Sequence, residues 1–225
     1  MWNRALYRDR RDAGRQLAQR LQNYLDEDVV VIGLPRGGVE VAFEIARSLN
    51  APLDVIVSRK LGAPGQPELG IGAVAQGGIM LLDEYLVGRL GVGEHEIQAI
   101  VEREREKMRR RAIEYRGSEN LPEMKGKTVV IVDDGLATGV TSRAAILAAR
   151  SGGPLRIILA VPVCAPETAA ELTGDVDNLV CLHNPDRFIA VGFWYQNFGQ
   201  TTDAQVIELL EESRGEVSRE EISEI

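Results

Sequence analysis

The 225-residue sequence is poor in the side chains that build metal centres and disulfides, since it contains only two cysteines and two histidines. Cys164 and Cys181 lie in apolar stretches without metal-like spacing, and His95 and His183 have no nearby partner pattern. Isolated cysteines of this kind predict buried, reduced thiols rather than a disulfide framework or a zinc site.

Long apolar runs and an excess of basic residues are also missing. No run approaches the roughly 18–20 residues that span a bilayer, and the opening MWNRALYRDRRDAGRQ is charged, unlike a signal peptide. The formal net charge is −8, whereas proteins that coat nucleic acids usually carry a basic excess. We therefore expect a cytoplasmic protein with no membrane or nucleic-acid partner.

Apolar runs of strand length alternate with stretches of helix-forming composition. Residues 29–34, 39–49 and 53–58 read as strand, helix and strand, a βαβ unit that implies parallel pairing. Further strands are predicted at 128–134, 155–163 and 178–182, and further helices at 9–25, 94–116, 141–151, 166–173 and 203–212. This alternation predicts an α/β fold with a mainly parallel, twisted sheet flanked by helices.

Residues 61–78, LGAPGQPELGIGAVAQGG, interrupt this alternation. They include six glycines and two prolines and lack helical periodicity. We expect a long loop, with a short hairpin around 71–75 as an open alternative. Loops of this length inside compact domains are uncommon and are usually functional or mobile.

Ligands of open parallel α/β sheets bind beyond the carboxyl ends of the strands. Three unusual segments are predicted at that edge: residues 35–38, residues 59–60 with the glycine-rich segment, and residues 133–141. Because all three segments are predicted at the same edge, together they indicate a binding site there more strongly than any one of them alone.

The segment VVIVDDGLATGVT, residues 129–141, has the chemistry of a sugar-phosphate site. Backbone N–H groups after the strand and the hydroxyls of Thr138 and Thr141 suit a phosphate monoester. Asp133 and Asp134 could accept hydrogen bonds from sugar hydroxyls or help to hold hydrated Mg²⁺. The alternative is a strand followed by an acidic turn and a helix cap.

A P-loop does not fit, because Val140 occupies the place of its lysine, and GLPRGG has the wrong spacing for a dinucleotide fingerprint.

The same segment resembles the phosphoribosyl pyrophosphate (PRPP) signature of type I phosphoribosyltransferases. GLPRGG resembles the pyrophosphate loop of that family, in which a non-proline cis peptide is common, here expected at Pro35–Arg36. SRKLGAPGQPELG resembles the flexible catalytic loop, and NPDRFIAVGFWYQNF is similar to the hood strand of hypoxanthine-guanine phosphoribosyltransferases. The sequence is similar to bacterial predicted phosphoribosyltransferases of unassigned substrate. The resemblance implies one domain over residues 1–225, with a core at about 29–182, a flexible loop at 61–78, a helical insertion at about 83–116, and a hood with a C-terminal helix at about 183–213.

The resemblance also implies an activity and a site: Mg²⁺-dependent transfer of the phosphoribosyl group from PRPP to a nitrogen nucleophile, in a homodimer. The implied catalytic residues are Arg36, Arg59 and Lys60. The implied PRPP-binding residues are Arg36, Gly37, Gly38, Asp133, Asp134, Gly135, Ala137, Thr138, Gly139, Val140 and Thr141. Asp133 and Asp134 would hold the metal directly or through water. Phe188, Ile189 and Trp194 would contact the acceptor, with core packing as the alternative for Phe188 and Trp194.

Two positions depart from the purine-salvage pattern. Ala137 lies where those enzymes usually keep an acid, and Cys164 and Ala165 lie near the place of a lysine that reads the purine oxygen. The acceptor therefore stays open among an easily deprotonated base such as orotate, a neutral amine and a purine. A PRPP- or nucleotide-sensing module without catalysis and a phosphoribosyl hydrolase are the alternative functions.

Overall fold

The computed structural model describes residues 5–223, and side chains as far as residue 215. The remaining ends of the predicted domain, residues 1–4 and 224–225, lie outside it. The strands are β1 (Val29–Gly33), β2 (Leu53–Val55), β3 (Ser58–Ala63), β4 (Gln66–Ala75), β5 (Ile79–Leu82), β6 (Thr128–Val132), β7 (Arg156–Val163) and β8 (Asn178–His183). The α-helices are α1 (Arg10–Gln19), α2 (Gly37–Leu49), α3 (Glu84–Leu90), α4 (Glu94–Arg116), α5 (Val140–Ser151), α6 (Pro166–Thr173) and α7 (Asp203–Ser223). Two short 3₁₀ turns cover Gln22–Tyr24 and Val191–Trp194.

The main sheet has five strands in the order β2-β1-β6-β7-β8, and every pairing in it is parallel. β1 and β6 are buried along their whole length, which is why their sequences are continuous apolar runs. The chain leaves β1 toward β2 on one side and returns through β6 on the other. The carboxyl ends of β1 and β6 therefore flank a topological switch point, where α/β sheets bind ligands.

Helices cover both faces of this sheet, as the alternation of strands and helices predicts. Val31 and Val130 point into a core shared with α1, α2, α4 and α7. Ile32 and Ile131, one residue further along, point into a second core beneath α5 and α6. The period-two direction of strand side chains thus separates the two cores. Within residues 5–223, no helix combines the length and the hydropathy needed to cross a bilayer.

The expectation of a long irregular loop at residues 61–78 is wrong, because β3, β4 and β5 form a three-stranded antiparallel sheet there. Gly62, Gly70 and Gly72 lie inside strands, whereas Gly65, Gly77 and Gly78 lie in the connections between strands. Two of the strand glycines permit close backbone contacts. A Cβ at Gly62 would lie 2.3 Å from the carbonyl oxygen of Pro67, and one at Gly72 would lie 2.1 Å from that of Leu81. The register also shifts at Gly62, as at a β-bulge.

Several other segments differ from their predicted form. Helix α7 runs to Ser223 rather than to residue 212, and β2 ends at Val55 rather than at residue 58. The N-terminal helix ends at Gln19 rather than near residue 25. α3 is a separate helix within the predicted insertion, and its N-terminus is capped by the side chain of Asp83. The predicted hood strand is also wrong: its central part is the 3₁₀ turn Val191–Trp194, followed by a single bridge between Tyr195 and Tyr7. The hood segment nevertheless lies against the loop that follows β6, because the Tyr195 hydroxyl donates to the Asp134 carbonyl oxygen over 2.6 Å.

Candidate functional site

The loops after β1 and β6 pack directly against each other. The amide of Leu34 donates to the carbonyl oxygen of Val132 over 2.8 Å, and the expected cis peptide at Pro35–Arg36 is present. A Cβ at Gly38 would lie 2.7 Å from that same Val132 oxygen, and one at Gly37 would lie 2.1 Å from Oδ2 of Asp134. Glycine is therefore required here by the contact between the two loops.

The two adjacent aspartates are held by different partners. Oδ1 of Asp133 accepts from the Asp134 amide over 2.9 Å, and its Oδ2 accepts from the Ser142 hydroxyl over 3.1 Å. Oδ2 of Asp134 accepts from Nε of Arg10 over 2.7 Å. Burial raises the pKa of Asp133, and the neighbouring Asp134 charge raises it further. Burial also raises the pKa of Asp134, while Arg10 opposes part of the rise. A ligand that supplies hydrogen-bond donors or positive charge would therefore stabilise the ionised form of both carboxylates.

Arg10 is a site residue that the sequence did not reveal. Its side chain is 8% exposed, its Nη1 donates to the Gly199 carbonyl oxygen over 2.7 Å, and its guanidinium lies 3.9 Å from the Phe198 ring centroid. It joins α1, the hood segment and Asp134. No sequence signal distinguishes it from Arg8 or other arginines of the same charged stretch.

Residues 135–141 form the loop after β6 and the start of α5, which begins at Val140. The first helical bond runs from the Arg143 amide to the Gly139 carbonyl oxygen, so the preceding amides of the first turn have no partner within the helix. The Thr168 hydroxyl donates to the Ala137 carbonyl oxygen over 2.5 Å and supports the loop from α6. This arrangement presents backbone donors, with the exposed side chain of Thr138, at a helix N-terminus, a favourable place for phosphate.

A cavity of about 980 Å³ brings the three predicted segments together, because Pro35, Arg59, Lys60 and Thr141 all line it. Its opposite wall is α4. Arg59 donates to Oε2 of Glu104 from both Nε, over 3.0 Å, and Nη2, over 2.8 Å.

The remaining basic residues predicted to act in catalysis also have internal partners. Lys60 donates to the Glu68 carbonyl oxygen over 2.9 Å, and Nη1 of Arg36 lies 3.6 Å from Oδ2 of Asp203. A neighbouring cavity of about 760 Å³ is lined by Lys60 and by residues 138–140 of the loop.

The residues predicted to contact the acceptor, unlike the three predicted PRPP segments, do not meet at a cavity. Trp194 is 4% exposed and packs with Tyr7 and Tyr195 in a small core, so core packing is its role in this structure. Phe188 is half-buried against that core, and Ile189 is 63% exposed. None of the three predicted residues is among those that line the two cavities.

The described residues contain no group of three or more histidine, cysteine, aspartate or glutamate side chains placed to hold a metal ion. Asp133 and Asp134 offer two carboxylates, and Arg10 already pairs with one of them. Mg²⁺ is commonly held by one or two carboxylates together with substrate phosphates and water. The site thus fits a magnesium ion that arrives with a phosphorylated substrate.

Comparison with known proteins identifies the family of this chain. The family described as "Phosphoribosyl transferase domain" matches residues 5–197. Two proteins from two strains of Mycobacterium tuberculosis, both named as candidate phosphoribosyl transferases, are 46% identical over 207 residues. The match covers 92% of this chain and 46% of each relative, so the chain spans about half the length of these curated relatives.

Solved structures show the same architecture. The crystal structure of TT1426 from Thermus thermophilus is 43% identical with a TM-score of 0.77, and the match covers 92% of this chain and 98% of that one. The AQ2163 protein from Aquifex aeolicus is 15% identical with a TM-score of 0.51, over 81% of this chain and 78% of that one, and shares the fold. The chain belongs to the phosphoribosyltransferase family, with the parallel sheet and flanking helices of its type I members.

Proposed function

We propose that this chain catalyses the Mg²⁺-dependent transfer of the phosphoribosyl group from PRPP to a nitrogen nucleophile, with release of pyrophosphate. The observation that supports it most is the convergence of Pro35, Arg59, Lys60 and Thr141 on one cavity beside the switch point. Five basic and three acidic side chains line this cavity, although the chain as a whole has a net charge of −8. A local positive field of this kind favours a polyanionic substrate.

The site offers a separate contact for each part of PRPP. The 5′-phosphate accepts hydrogen bonds from the amides of residues 137–141 and from the Thr138 hydroxyl. The ribose hydroxyls donate to Asp133 and Asp134, whose pKa values are raised by burial and whose ionised forms such donors stabilise. Arg36 and the Gly37 and Gly38 amides hold the pyrophosphate.

In the reaction, the bond between C1 of the ribose and the pyrophosphate oxygen breaks, and that oxygen keeps the electron pair. The nitrogen nucleophile forms the new bond to C1, and if it entered as a neutral N–H group it then gives its extra proton to water. Positive charge develops on the ribose and negative charge on the leaving group. Arg36, Arg59 and Lys60 stabilise the leaving group by charge and position. Mg²⁺, when bound, neutralises the pyrophosphate oxygens.

The surroundings of the loop favour an acceptor that needs no strong base from the protein. Ala137 supplies no carboxylate, and Cys164 is fully buried. Burial raises the pKa of the Cys164 thiol to about 12, so this thiol is not a base at neutral pH. An anionic nucleobase or a neutral amine fits these residues best.

The test is to incubate the protein with Mg²⁺, PRPP and a panel of bases and amines, and to assay pyrophosphate. Release that depends on the acceptor and is lost in Asp134→Asn, but kept in the exposed-site control Asp186→Asn, supports transfer. Saturable PRPP binding without any release supports a regulatory module instead. If PRPP and nucleoside monophosphates both fail to raise the melting temperature, the site assignment is wrong.

The proposal includes a homodimer, which rests on the family resemblance, and a cytoplasmic location, which rests on the two unpaired cysteines. Sedimentation velocity of the purified chain measures the assembly state, and a monomer across the working concentration range would contradict the dimer.

A further inference from the structure

Helix α4 presents a row of basic side chains to the cavity that contains Arg59 and Lys60. Arg103, Lys107 and Arg111 are four residues apart, which places them on one face of the helix, and all three line the cavity. Like charges at this spacing destabilise a helix. Negative charge on the cavity side of α4 would therefore stabilise this row of basic side chains.

Carboxylates of the protein neutralise only part of this positive charge. Glu104, whose side chain is 8% exposed, accepts a hydrogen bond from Lys107 over 2.7 Å and two from Arg59. Its Oε1 also lies 3.4 Å from Nε of Arg103. One buried negative charge is thus shared by three positive charges, and the cluster retains a positive excess.

At the end of the row, two arginines from distant segments share one carboxylate. Nη1 of Arg36, in the loop after β1, lies 3.6 Å from Oδ2 of Asp203, and Nε of Arg111 lies 3.9 Å from its Oδ1. The Tyr115 hydroxyl also donates to Oδ1 of Asp203. Both arginine side chains are about one-third exposed, at 32% and 30%. Two accessible guanidinium groups that converge on one carboxylate have the arrangement of an anion-binding site.

We propose that Arg111, with Lys107 beside it, binds the pyrophosphate group of PRPP together with Arg36, and that this group displaces Asp203 from the two arginines. The inference rests on the proposed function and extends it, since it adds α4 to a site otherwise built from the loops of the sheet edge. Guanidinium groups bind phosphate oxygens through paired, charge-assisted hydrogen bonds. A diphosphate offers enough oxygens for both arginines. Asp203 supplies a single carboxylate, and its oxygens lie 3.6 and 3.9 Å from the two guanidinium groups.

The test compares Arg111→Gln with Arg109→Gln, a control on the same helix whose arginine pairs with Glu106. Calorimetric titrations measure the Kd for magnesium pyrophosphate, PRPP and ribose 5-phosphate. Arg111→Gln is expected to raise the Kd for pyrophosphate and PRPP about tenfold or more and to leave the Kd for ribose 5-phosphate unchanged. Arg109→Gln is expected to change none of the three, and circular dichroism checks that both variants are folded.

Asp203→Asn provides a second measurement with the opposite sign. Removal of the competing charge is expected to lower the Kd for pyrophosphate severalfold, whereas a carboxylate needed only to anchor α7 would give weaker binding when replaced. An unchanged pyrophosphate Kd in Arg111→Gln, with PRPP still bound, overturns this inference alone. Pyrophosphate binding that depends on Arg111 without PRPP binding supports the anion site and overturns the proposed function. A wild-type chain that binds neither compound overturns both.

Discussion

Nε of Arg10 donates a hydrogen bond to Oδ2 of Asp134 across 2.7 Å, although 124 residues separate the two in the chain. The pair places a cation from the first helix next to a carboxylate at the end of a central strand. Through Gly199 and Phe198, the same guanidinium also contacts the hood segment. The acidic dipeptide after β6 therefore belongs to a network that includes both terminal regions of the described chain.

Arg10→Met should destabilise the protein strongly. The methionine preserves much of the side-chain volume but leaves Asp134 buried without its cation, and breaking a buried pair in this way costs about 3–5 kcal/mol. Urea unfolding of wild type and variant at neutral pH measures the difference in the free energy of unfolding.

The control for this pair is Arg8→Met. The Arg8 side chain is 62% exposed and pairs with Asp9. A surface pair of this kind is worth less than about 1 kcal/mol. Asp134→Asn in the Arg10→Met background should recover part of the loss, because the unpaired charge is then gone. Equal, small effects of Arg8→Met and Arg10→Met would show that the buried pair does not contribute to stability.

Gly38→Ala should destabilise the chain by about 1–3 kcal/mol, as overpacking does in a close-packed interior. The new Cβ would lie 2.7 Å from the Val132 carbonyl oxygen and 2.9 Å from Cα of Asp133, both backbone atoms that cannot move aside alone. PRPP binding should weaken as well, because the two loops would separate. Thermal unfolding with and without PRPP measures both effects.

Gly88→Ala is the matched control for this substitution. Gly88 lies within α3, and a Cβ there meets no atom within 4 Å. Alanine should be neutral or stabilise by about 0.4–1 kcal/mol, since it reduces the entropy of the unfolded chain. Loss of stability in Gly88→Ala comparable to that of Gly38→Ala would remove the steric explanation.

Glu104→Gln should destabilise the protein at neutral pH and much less in acid. Burial alone would raise the pKa of Glu104, but hydrogen bonds from Lys107 and Arg59 outweigh burial and lower it below its ordinary 4.5. A lowered pKa stabilises the fold above the unfolded value, and that stability is lost as the pH falls through the folded value. Hydrogen bonds to charged groups suggest a loss of about 1.5–3 kcal/mol at pH 7.

The measurement is the free energy of unfolding of both proteins from neutral pH down through 4.5. The difference between them should shrink as the pH falls below 4.5. Glu106→Gln, which alters an exposed carboxylate on the same helix, should show little effect. A difference that stays constant down to strongly acidic pH would mean that Glu104 acts through packing and not through its charge.

The two cysteines should resist thiol reagents in the native protein. Neither forms a disulfide; Cys164 is buried as predicted, whereas Cys181 is only partly buried. Burial raises the pKa of Cys164 to about 12 and that of Cys181 to about 11. Because the thiolate is the reactive form, a chromogenic disulfide reagent at mildly alkaline pH should react slowly until denaturant is added, when two thiols per chain should appear. Rapid reaction of both thiols without denaturant would contradict this environment.

The sequence by itself determined the elements whose signal is local. The continuous apolar runs at β1, β6 and β7 and the 23-residue helix α4 were predicted to within two residues at each end, because fully buried strands and long helices leave simple periodic patterns. The motifs around Arg36 and Asp133 were also predicted to meet at one sheet edge, and they do, since parallel strands bring their carboxyl ends together.

Only the tertiary structure decided the rest. Of the antiparallel sheet at residues 58–82, the sequence indicated only a possible short hairpin around 71–75. Gly62 and Gly72 are required by the close approach of a neighbouring backbone, and glycines inside strands leave no alternation of side chains along the chain. Arg10, Glu104 and Asp203 look like ordinary surface charges in the sequence, and each has a partner at least 45 residues away. The sequence specifies which groups are present, whereas the fold decides which charges lose their water and must find partners, and the candidate site consists largely of such charges.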